Sequence, residues 1–359
     1  MRTTKFGFIV HPLRYEDLRK LPIVQRAELL GLPTAKIETL MSQVPIPPMR
    51  YGKVRNVCSG DRAVSGLLYA VPATTKMILS ENPESLYWKV IVATYDAAFR
   101  GCSVFGLGAY TSIFGDAGET IGQWSPIPVT TGNGYTVVAV RQTIDLICQR
   151  CGIVKRNSRV LIVGATGSIG SACAKSLAGE VGEMVLLSSS SSKNRLQQLA
   201  EEIKVTRGTN LEEEVARADI VITATSANQP LIDIAHLKSG AIVCDIARPF
   251  DVFGRSRDDV LVVASGEVVL PGEGVNISSD IGLPRNGGRV YACLAETTLL
   301  AMSGQHQYAT VGRQIDASSI EALERLGWQY KFQLAPLEGP DGPISEEQFD
   351  RIGSVGGRF

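Results

Sequence analysis

Three glycines spaced three residues apart mark the stretch of this sequence with the clearest chemical potential. Gly164, Gly167 and Gly170 follow the apolar run 159–163, which predicts a buried parallel strand leading into a helix. Glycine here permits a tight turn, close approach of the backbone to a pyrophosphate, and close packing of the helix on the strand. The N–H groups that open such a helix attract an anion. The predicted phosphate contacts are Gly164, Ala165, Thr166, Gly167, Ser168, Ile169 and Gly170.

Short apolar runs recur after this turn, with helical or loop segments between them. Residues 184–188, 219–225, 241–246 and 259–264 predict further strands. This alternation is typical of an α/β protein, and it predicts a Rossmann-like doubly wound parallel sheet beside an N-terminal α/β domain and C-terminal helices. A glycine-rich turn that binds no nucleotide is the alternative.

The end of the second predicted strand indicates which dinucleotide is preferred. NAD-preferring sites usually place an Asp or Glu about 20 residues past the first glycine, where it binds the ribose 2′-hydroxyl. Residues 187–195 contain no acid, but a run of serines and two cations. Such groups suit a 2′-phosphate and favour NADPH, although a flexible serine-rich loop is the other interpretation. The predicted cofactor contacts beyond the glycine turn are Ser188, Ser189, Lys193, Arg195 and Thr225.

The overall composition is that of an ordinary globular protein. Its 359 residues suffice for two domains, with 44% hydrophobic and 20% charged residues. A net charge of zero argues against general nucleic-acid binding. The longest uncharged run, residues 120–140, is broken by prolines and polar residues, and no cationic-then-apolar leader opens the sequence. We therefore expect a cytoplasmic protein without a membrane span.

The cysteines argue for a reducing compartment. Their number, seven, is odd, and their scatter from Cys58 to Cys293 does not form a disulfide framework. Cys148 and Cys151 have the spacing of a metal or redox pair, but no second pair accompanies them. On pattern alone Cys293 is a small core residue of a helix predicted over 289–302, where it shares a face with Glu296 three residues on.

Positive charge is concentrated near the N-terminus. Residues 1–62 contain eleven Lys and Arg against five Asp and Glu. An acidic partner could dock on that part of the protein, and an ordinary solvated surface is the alternative.

Two polar turns follow apolar stretches in the first half of the chain. Residues 108–112 follow a strand predicted over 103–107, and residues 129–133 form a second segment rich in Thr, Gly and Asn. Hydroxyls and backbone N–H groups at such an edge can hold a polarised carbonyl, although plain turn chemistry would use the same residues.

Several segments, read together, resemble the long-chain fatty acyl-[acyl-carrier-protein] reductases, which form fatty aldehydes for alkane biosynthesis. The match runs in order from Phe6 to about Leu337, and the glycine turn fits the same family. The segments are 6–11 (FGFIVH), 108–113 (GAYTSI), 130–133 (TTGN) with Arg141-Gln142, and 292–296 (ACLAE) with 312–315 (GRQI).

This resemblance implies a two-step reduction of an acyl thioester. Cys293 matches the family's catalytic position, so its thiolate would take the acyl group from acyl-carrier protein, with coenzyme A as the alternative donor, before NADPH delivers hydride. The resemblance also implies that Glu296 positions or deprotonates the thiol and that His11 moves a proton, although His11 could equally be a packing residue. An aldehyde-consuming enzyme is a further implied partner. The residues implied to orient the carbonyl and the nicotinamide carboxamide are Ser112, Thr130, Thr131 and Asn133.

Other classes of protein remain as alternatives. A glutamyl-tRNA reductase-like enzyme would also reduce a thioester, and Cys58 would be its nucleophile. A short-chain dehydrogenase fits poorly, because no tyrosine has a lysine four residues on. A regulator that binds NADP without catalysis is the alternative from a different class.

The sequence also predicts where the domains divide. Proline and glycine enrichment leads us to expect a loosely ordered tail. The predicted divisions are a substrate domain over 1–134, a connecting helix over 135–154, the NADP domain over 155–285, C-terminal helices carrying the cysteine over 286–335, and a tail over 336–359.

Overall fold

The computed structural model describes residues 3–11, 18–19, 22–34, 36–37, 40, 47–72, 83–112, 114–227, 229–278 and 287–356. The chain folds into two units, and each is built from two segments. Unit one comprises residues 1–136 and 268–333, and unit two comprises residues 137–267 and 334–359.

Strands and helices alternate along most of the described chain. The strands are β1 (Thr3–Val10), β2 (Met49–Ser59), β3 (Arg62–Ala70), β4 (Cys102–Leu107), β5 (Val129–Thr130), β6 (Arg159–Val163), β7 (Glu183–Leu187), β8 (Thr206–Arg207), β9 (Ile220–Thr223), β10 (Ile232–Asp233), β11 (Ile242–Asp245), β12 (Val252–Phe253), β13 (Leu261–Ala264), β14 (Glu267–Val269), β15 (Asn276–Ile277), β16 (Arg289–Tyr291), β17 (Gln333–Leu334), β18 (Glu338–Gly339) and β19 (Gly342–Pro343). The α-helices are α1 (Pro22–Leu29), α2 (Pro83–Phe99), α3 (Glu119–Trp124), α4 (Asn133–Cys151), α5 (Ser168–Leu177), α6 (Lys193–Ile203), α7 (Leu211–Val215), α8 (Ala292–Ser303), α9 (Ala317–Gln329) and α10 (Glu346–Gly356). None of the helices in the described ranges is long and apolar enough to cross a lipid bilayer.

Unit two has the strand order of a Rossmann fold. Its sheet runs β13-β11-β9-β6-β7-β8, and every pairing is parallel. Numbered from β6 along the chain, this order is the 3-2-1-4-5-6 arrangement of dinucleotide-binding domains, read from the opposite edge. The predicted strands after the glycine turn are confirmed as β7, β9, β11 and β13, and so is the predicted fold class.

Unit one is a mixed sheet in the order β15-β2-β3-β1-β4-β5. Parallel pairings join β3, β1, β4 and β5, whereas β2 runs antiparallel to β3. Helices cover both faces of its centre. A Cβ added to Gly7 would lie 3.1 Å from Ala97 of α2, whereas one added to Gly106 would collide with Thr297 of α8. Because neighbouring Gly7 and Gly106 point to opposite faces, α2 and α8 pack on opposite sides of the sheet.

Helix α8 begins later than the sequence predicts. Residues 289–291 form strand β16, so the helix predicted over 289–302 spans Ala292–Ser303 instead. Nearly every side chain of α8 is buried, from Leu294 to Met302. An apolar run that lacks a polar face cannot show where strand ends and helix begins, because both states bury it.

The expectation of a loosely ordered tail is wrong. Residues 346–356 form α10, in which Phe349 and Ile352 are buried. A Cβ added to Gly353 would lie 2.7 Å from the carbonyl oxygen of Cys151, so the helix packs closely within unit two. Phe349 and Ile352 are three residues apart and share one helix face, a pattern that the surrounding Pro and Gly residues obscure.

Residues 268–278 belong to unit one, whereas the sequence predicts an NADP domain extending to residue 285. Strand β15 pairs antiparallel with β2, placing Asn276 opposite Arg55. Long-range strand pairing of this kind leaves no local signal in the sequence.

Candidate active site

The two predicted polar turns meet at one edge of the unit-one sheet. His11 follows β1, the turn ending at Ser112 follows β4, and Thr131 follows β5. Because these strands are parallel, their carboxyl ends lie at the same edge. All three residues are buried. The structure therefore brings together polar groups that lie up to 120 positions apart in the chain.

The start of α8 brings Cys293 to this edge. Gly132 has φ +71°, and a Cβ added there would lie 2.5 Å from the Cβ of Cys293. One turn later, Thr297 lies beside Gly106, within β4. The amino terminus of α8 therefore lies at the carboxyl edge of the sheet. Cys293 is the second residue of the helix, where N–H groups and the helix dipole favour a thiolate.

Accessibility separates Cys293 from most of the other cysteines. Only Cys58 and Cys293 are partly exposed, whereas the remaining five are buried. Burial raises the pKa of the Cys102 thiol to about 12 and the pKa values of the Cys148 and Cys151 thiols to about 11. Burial thus disfavours the thiolate that a metal-binding or redox pair at Cys148 and Cys151 would need.

Cys58 lies at the other end of the unit-one sheet. It pairs with Ala63, next to the hairpin turn that joins β2 to β3. Ala63 in turn pairs with Thr3 at the start of β1. Cys58 is therefore at the edge where the parallel strands begin, away from the polar turns.

Glu296 lies one turn after Cys293 and is fully buried. Its carboxylate accepts hydrogen bonds from the Thr130 hydroxyl, from the Thr310 hydroxyl at 2.9 Å and from the Tyr135 N–H at 2.7 Å. Burial raises the pKa of Glu296, although the hydrogen bonds from Thr130, Tyr135 and Thr310 act in the opposite direction. The carboxylate therefore joins α8 to the turn after β5 and to the start of α4. The predicted deprotonation of the thiol by Glu296 stays a prediction.

The two threonine hydroxyls that bind Glu296 also accept hydrogen bonds from backbone N–H groups. The Thr130 hydroxyl oxygen accepts the N–H of Thr310 at 3.0 Å and that of Gly132 at 3.3 Å, and the Thr310 hydroxyl oxygen accepts the N–H of Gly134 at 3.3 Å. Both hydroxyls donate to Glu296, and the Thr130 hydroxyl has a second, longer acceptor in the carbonyl oxygen of Thr310 at 3.3 Å. Sequence reasoning missed Thr310, because it lies 180 residues from Thr130 and matches no motif.

The other predicted carbonyl-orienting residues lie in the same place. Asn133 opens α4 and is buried, and the Thr131 hydroxyl donates to the carbonyl oxygen of Thr310 at 2.9 Å. The predicted roles of these residues, and of Ser112 and His11, toward a carbonyl or a carboxamide stay predictions.

The glycine turn of unit two has the geometry that a bound pyrophosphate needs. Gly164 has φ +83°, and a Cβ added to it would lie 2.6 Å from the carbonyl oxygen of Ala224. A Cβ added to Gly170 would lie 2.9 Å from the carbonyl carbon of Gly164. Gly167 caps α5, so no side chain occupies the helix amino terminus. The turn thus leaves room for an anion beside the helix, and the residues fit a dinucleotide.

The serine-rich segment leads directly into α6. Ser188 is partly exposed, Ser189 and Lys193 are exposed, and Arg195 donates to the Ser192 hydroxyl at 2.7 Å. The first turn of α6 holds cations and no acid, an arrangement that the helix dipole disfavours. An anion bound there would offset this cost.

A pair of buried carboxylates was missed by the sequence analysis. Asp251 accepts the Thr225 hydroxyl at 2.6 Å, and Asp245 accepts the N–H of Ala247 at 3.0 Å and that of Val252 at 3.1 Å. Burial, with the nearby charge of Asp251, raises the pKa of Asp245 to about 7. The pair ties Thr225, a predicted cofactor contact, to the loop after β11. In the sequence, an acidic residue at the end of an apolar strand, as Asp245 is, could have indicated this pair of carboxylates.

The Rossmann sheet, with its glycine turn at a helix amino terminus, defines the class of unit two as an NAD(P)-binding fold. In agreement, residues 148–263 match the shikimate / quinate 5-dehydrogenase family.

Curated proteins resemble almost the whole chain. The aminotransferase PigE of a Serratia species is 27% identical over 352 residues, which is 93% of this chain and 40% of that protein. The long-chain acyl-[acyl-carrier-protein] reductase of Synechococcus elongatus is 25% identical over 345 residues, which is 92% of this chain and 99% of that protein. The chain therefore spans less than half the length of one relative and nearly all of the other.

Among solved structures, a glutamyl-tRNA reductase from Methanopyrus kandleri is 22% identical, covering 50% of this chain and 46% of that one with a TM-score of 0.30. The fold of unit two and the matches to reductase and dehydrogenase sequences together support an NAD(P)-dependent oxidoreductase.

Proposed function

We propose that this protein reduces a fatty acyl thioester to a fatty aldehyde, with NADPH as reductant and Cys293 as nucleophile. The position of Cys293 carries the proposal: it is partly exposed, at the amino terminus of α8, beside the polar edge of the sheet. Similarity to an acyl-[acyl-carrier-protein] reductase over 99% of that protein's length supports the same substrate class.

The residues of unit one can perform the acyl transfer. The thiolate of Cys293 attacks the thioester carbonyl, a new C–S bond forms, and the donor thiolate leaves and takes a proton from solvent. The resulting thioester on Cys293 accepts hydride more readily than an oxygen ester would. When bound, the reduced nicotinamide supplies this hydride. The bond from carbon to Cys293 then breaks, which releases aldehyde and restores the thiolate.

Polar groups at the sheet edge assist these steps in the proposal. Ser112 and Asn133 orient the carbonyl oxygen of the thioester. His11 moves a proton to or from this oxygen. Glu296 acts through its hydrogen bonds to Thr130 and Thr310, which hold the turn after β5 against Cys293.

The activity itself is tested with purified protein, NADPH and a set of thioesters on carrier protein, coenzyme A and pantetheine. We expect aldehyde of the acyl chain length supplied, detected by mass spectrometry. Cofactor binding without turnover of any thioester would instead favour the non-catalytic regulator.

We expect NADPH to bind more tightly than NADH, because Lys193 and Arg195 can contact the 2′-phosphate. Replacing both with alanine should weaken NADPH binding about 10- to 100-fold, the effect of losing charged hydrogen bonds. NADH affinity should hardly change. Fluorescence titration of both dinucleotides measures this.

The matched control replaces Arg207 and Arg217, which are exposed cations of the same unit. This control should leave both affinities unchanged. Equal affinity of the wild-type protein for NADPH and NADH would overturn the cofactor assignment.

A glutamyl-tRNA reductase-like reaction is the second candidate for thioester chemistry. It would use Cys58 as nucleophile, but Cys58 lies at the sheet edge opposite the polar turns. The geometry therefore favours Cys293.

A further inference from the structure

The solvent-facing side of α2 is apolar. Trp88 is 64% exposed, Val92 37%, Tyr95 55% and Phe99 89%. Spacings of four, three and four residues place these side chains on one face of the helix. The opposite face of α2 is also apolar and packs on the unit-one sheet, where Val90 and Ala97 are buried.

Three exposed aromatic residues and a valine on one helix face make this stripe a candidate binding surface. Each aromatic side chain can bury about 150–250 Å². Surface helices normally turn charged residues to water, and an exposed patch of several hundred Å² is typical of a binding surface.

A groove of about 870 Å³ runs alongside the stripe, between α2 and β2. Val92 and Ala93 contribute to its helical wall, and Arg50, Lys53 and Arg55 line its other wall. Arg50 lies opposite Tyr69 in the register of β2 and β3, near the carboxyl end of β3. One end of the groove, on the α2 face of the sheet, is therefore at the same edge as Cys293, which lies on the α8 face.

The groove carries uncompensated positive charge. The acidic residue that lines the groove is Asp96, whose carboxylate accepts a hydrogen bond from the Tyr69 hydroxyl at 2.8 Å. Asp96 also forms ion pairs with Arg100 at 2.9 Å and Arg50 at 3.5 Å. Lys53 and Arg55 are exposed, and no carboxylate in the described part of the chain pairs with either. The groove thus combines an apolar wall with a cationic one.

This combination selects one kind of occupant. A second copy of the chain would bring a second set of the same cations to the interface, and a flat lipid surface would leave the concave groove unfilled. An acidic, amphipathic helix fits, because its apolar face covers the stripe while its carboxylates meet Lys53 and Arg55. We propose that this groove docks an acidic helix of the protein that carries the acyl thioester; the inference rests on the proposed function.

The test compares a thioester carried on an acidic carrier protein with the same acyl group on free pantetheine. The docking variant combines Lys53→Glu, Arg55→Glu and Phe99→Ser. We expect its kcat/KM to fall at least tenfold for the carrier-borne substrate and less than twofold for the pantetheine thioester. For the wild-type protein, rising salt should lower kcat/KM only with the carrier-borne substrate.

The control variant combines Arg325→Glu and Trp328→Ser, which replace an exposed cation and an exposed aromatic residue of α9. Both substrates should react as with wild type. An unchanged kcat/KM of the docking variant for the carrier-borne substrate would overturn the docking site while leaving the proposed reaction intact. Failure of the wild-type protein to reduce either thioester would overturn the reaction itself.

Three other results would also overturn the docking proposal. An equal loss with both substrates would mean that the groove supports the fold or the chemistry. A wild-type dimer that becomes monomeric in the docking variant, by light scattering, would assign the surface to a second copy. Cosedimentation of wild type but not of the variant with anionic phosphatidylglycerol vesicles would assign it to lipid.

Discussion

Replacing Cys293 with alanine is expected to abolish aldehyde formation while NADPH binding and folding stay near normal. The reason is that the side chain is partly exposed and small, so its loss removes the nucleophile but little buried surface. Without NADPH, the wild-type protein given a thioester should gain one acyl mass on the peptide that contains Cys293. Aldehyde assay, cofactor titration and peptide mass spectrometry measure these outcomes.

Two further variants separate the nucleophile from its surroundings. Cys293→Ser should be severely slowed, because an oxygen ester resists hydride. Cys58→Ala, which removes the other partly exposed thiol, should turn over normally. Turnover by Cys293→Ala, or an acyl mass on Cys58, would contradict the mechanism and favour the glutamyl-tRNA reductase-like alternative.

Replacing Glu296 with alanine is expected to lower both the stability of the protein and its kcat. The change leaves the Thr310 hydroxyl and the Tyr135 N–H without their buried acceptor, and it leaves the Thr130 hydroxyl only its longer bond to the Thr310 carbonyl oxygen. An unsatisfied buried donor costs about 1–3 kcal/mol, so for these two donors we expect a loss of at least about 2 kcal/mol in the free energy of unfolding. Denaturant titration measures this loss, and kcat should fall because the turn after β5 no longer holds its place beside Cys293.

Glu296→Gln tests whether the charge or only the shape matters. The amide keeps an acceptor for the two hydroxyls but turns an N–H group toward the N–H of Tyr135, so we expect an intermediate loss of stability. The control is Thr298→Val on the same helix, which removes a buried hydroxyl that donates only to Leu294, at 2.8 Å. It should cost less than about 1.5 kcal/mol. Equal stability of the glutamine variant and wild type would contradict the hydrogen-bond arrangement.

The sequence alone determined the parts of this protein that rest on local patterns. Apolar runs alternating with helical segments predicted the strands of unit two, because a buried parallel strand needs a short continuous apolar run. The spacing of Gly164, Gly167 and Gly170 located the turn between β6 and α5, where Gly164 has φ +83° and a Cβ on Gly170 would lie 2.9 Å from the carbonyl carbon of Gly164. The three-residue spacing of Cys293 and Glu296 placed both on one side of a helix.

The tertiary structure decided what each of these groups contacts. Glu296 accepts hydrogen bonds from Thr130 and Thr310, which lie 166 and 14 residues away in the chain. Gly132 lies against Cys293 only because α8 returns to the carboxyl end of β5. Local sequence periodicity does not predict such long-range contacts, since they follow from the order in which distant strands pair.

Local sequence patterns also could not predict the exposed stripe of α2 or the buried residues of the tail. The exposure of Trp88 and Phe99 could not be read from the sequence, because hydrophobicity does not say which side of a helix faces the sheet. Phe349 and Ile352 of the tail are buried because their helix packs within unit two, and the sequence does not indicate this packing. The residue types thus determine which side chains are apolar. The tertiary fold determines which of these apolar side chains are buried.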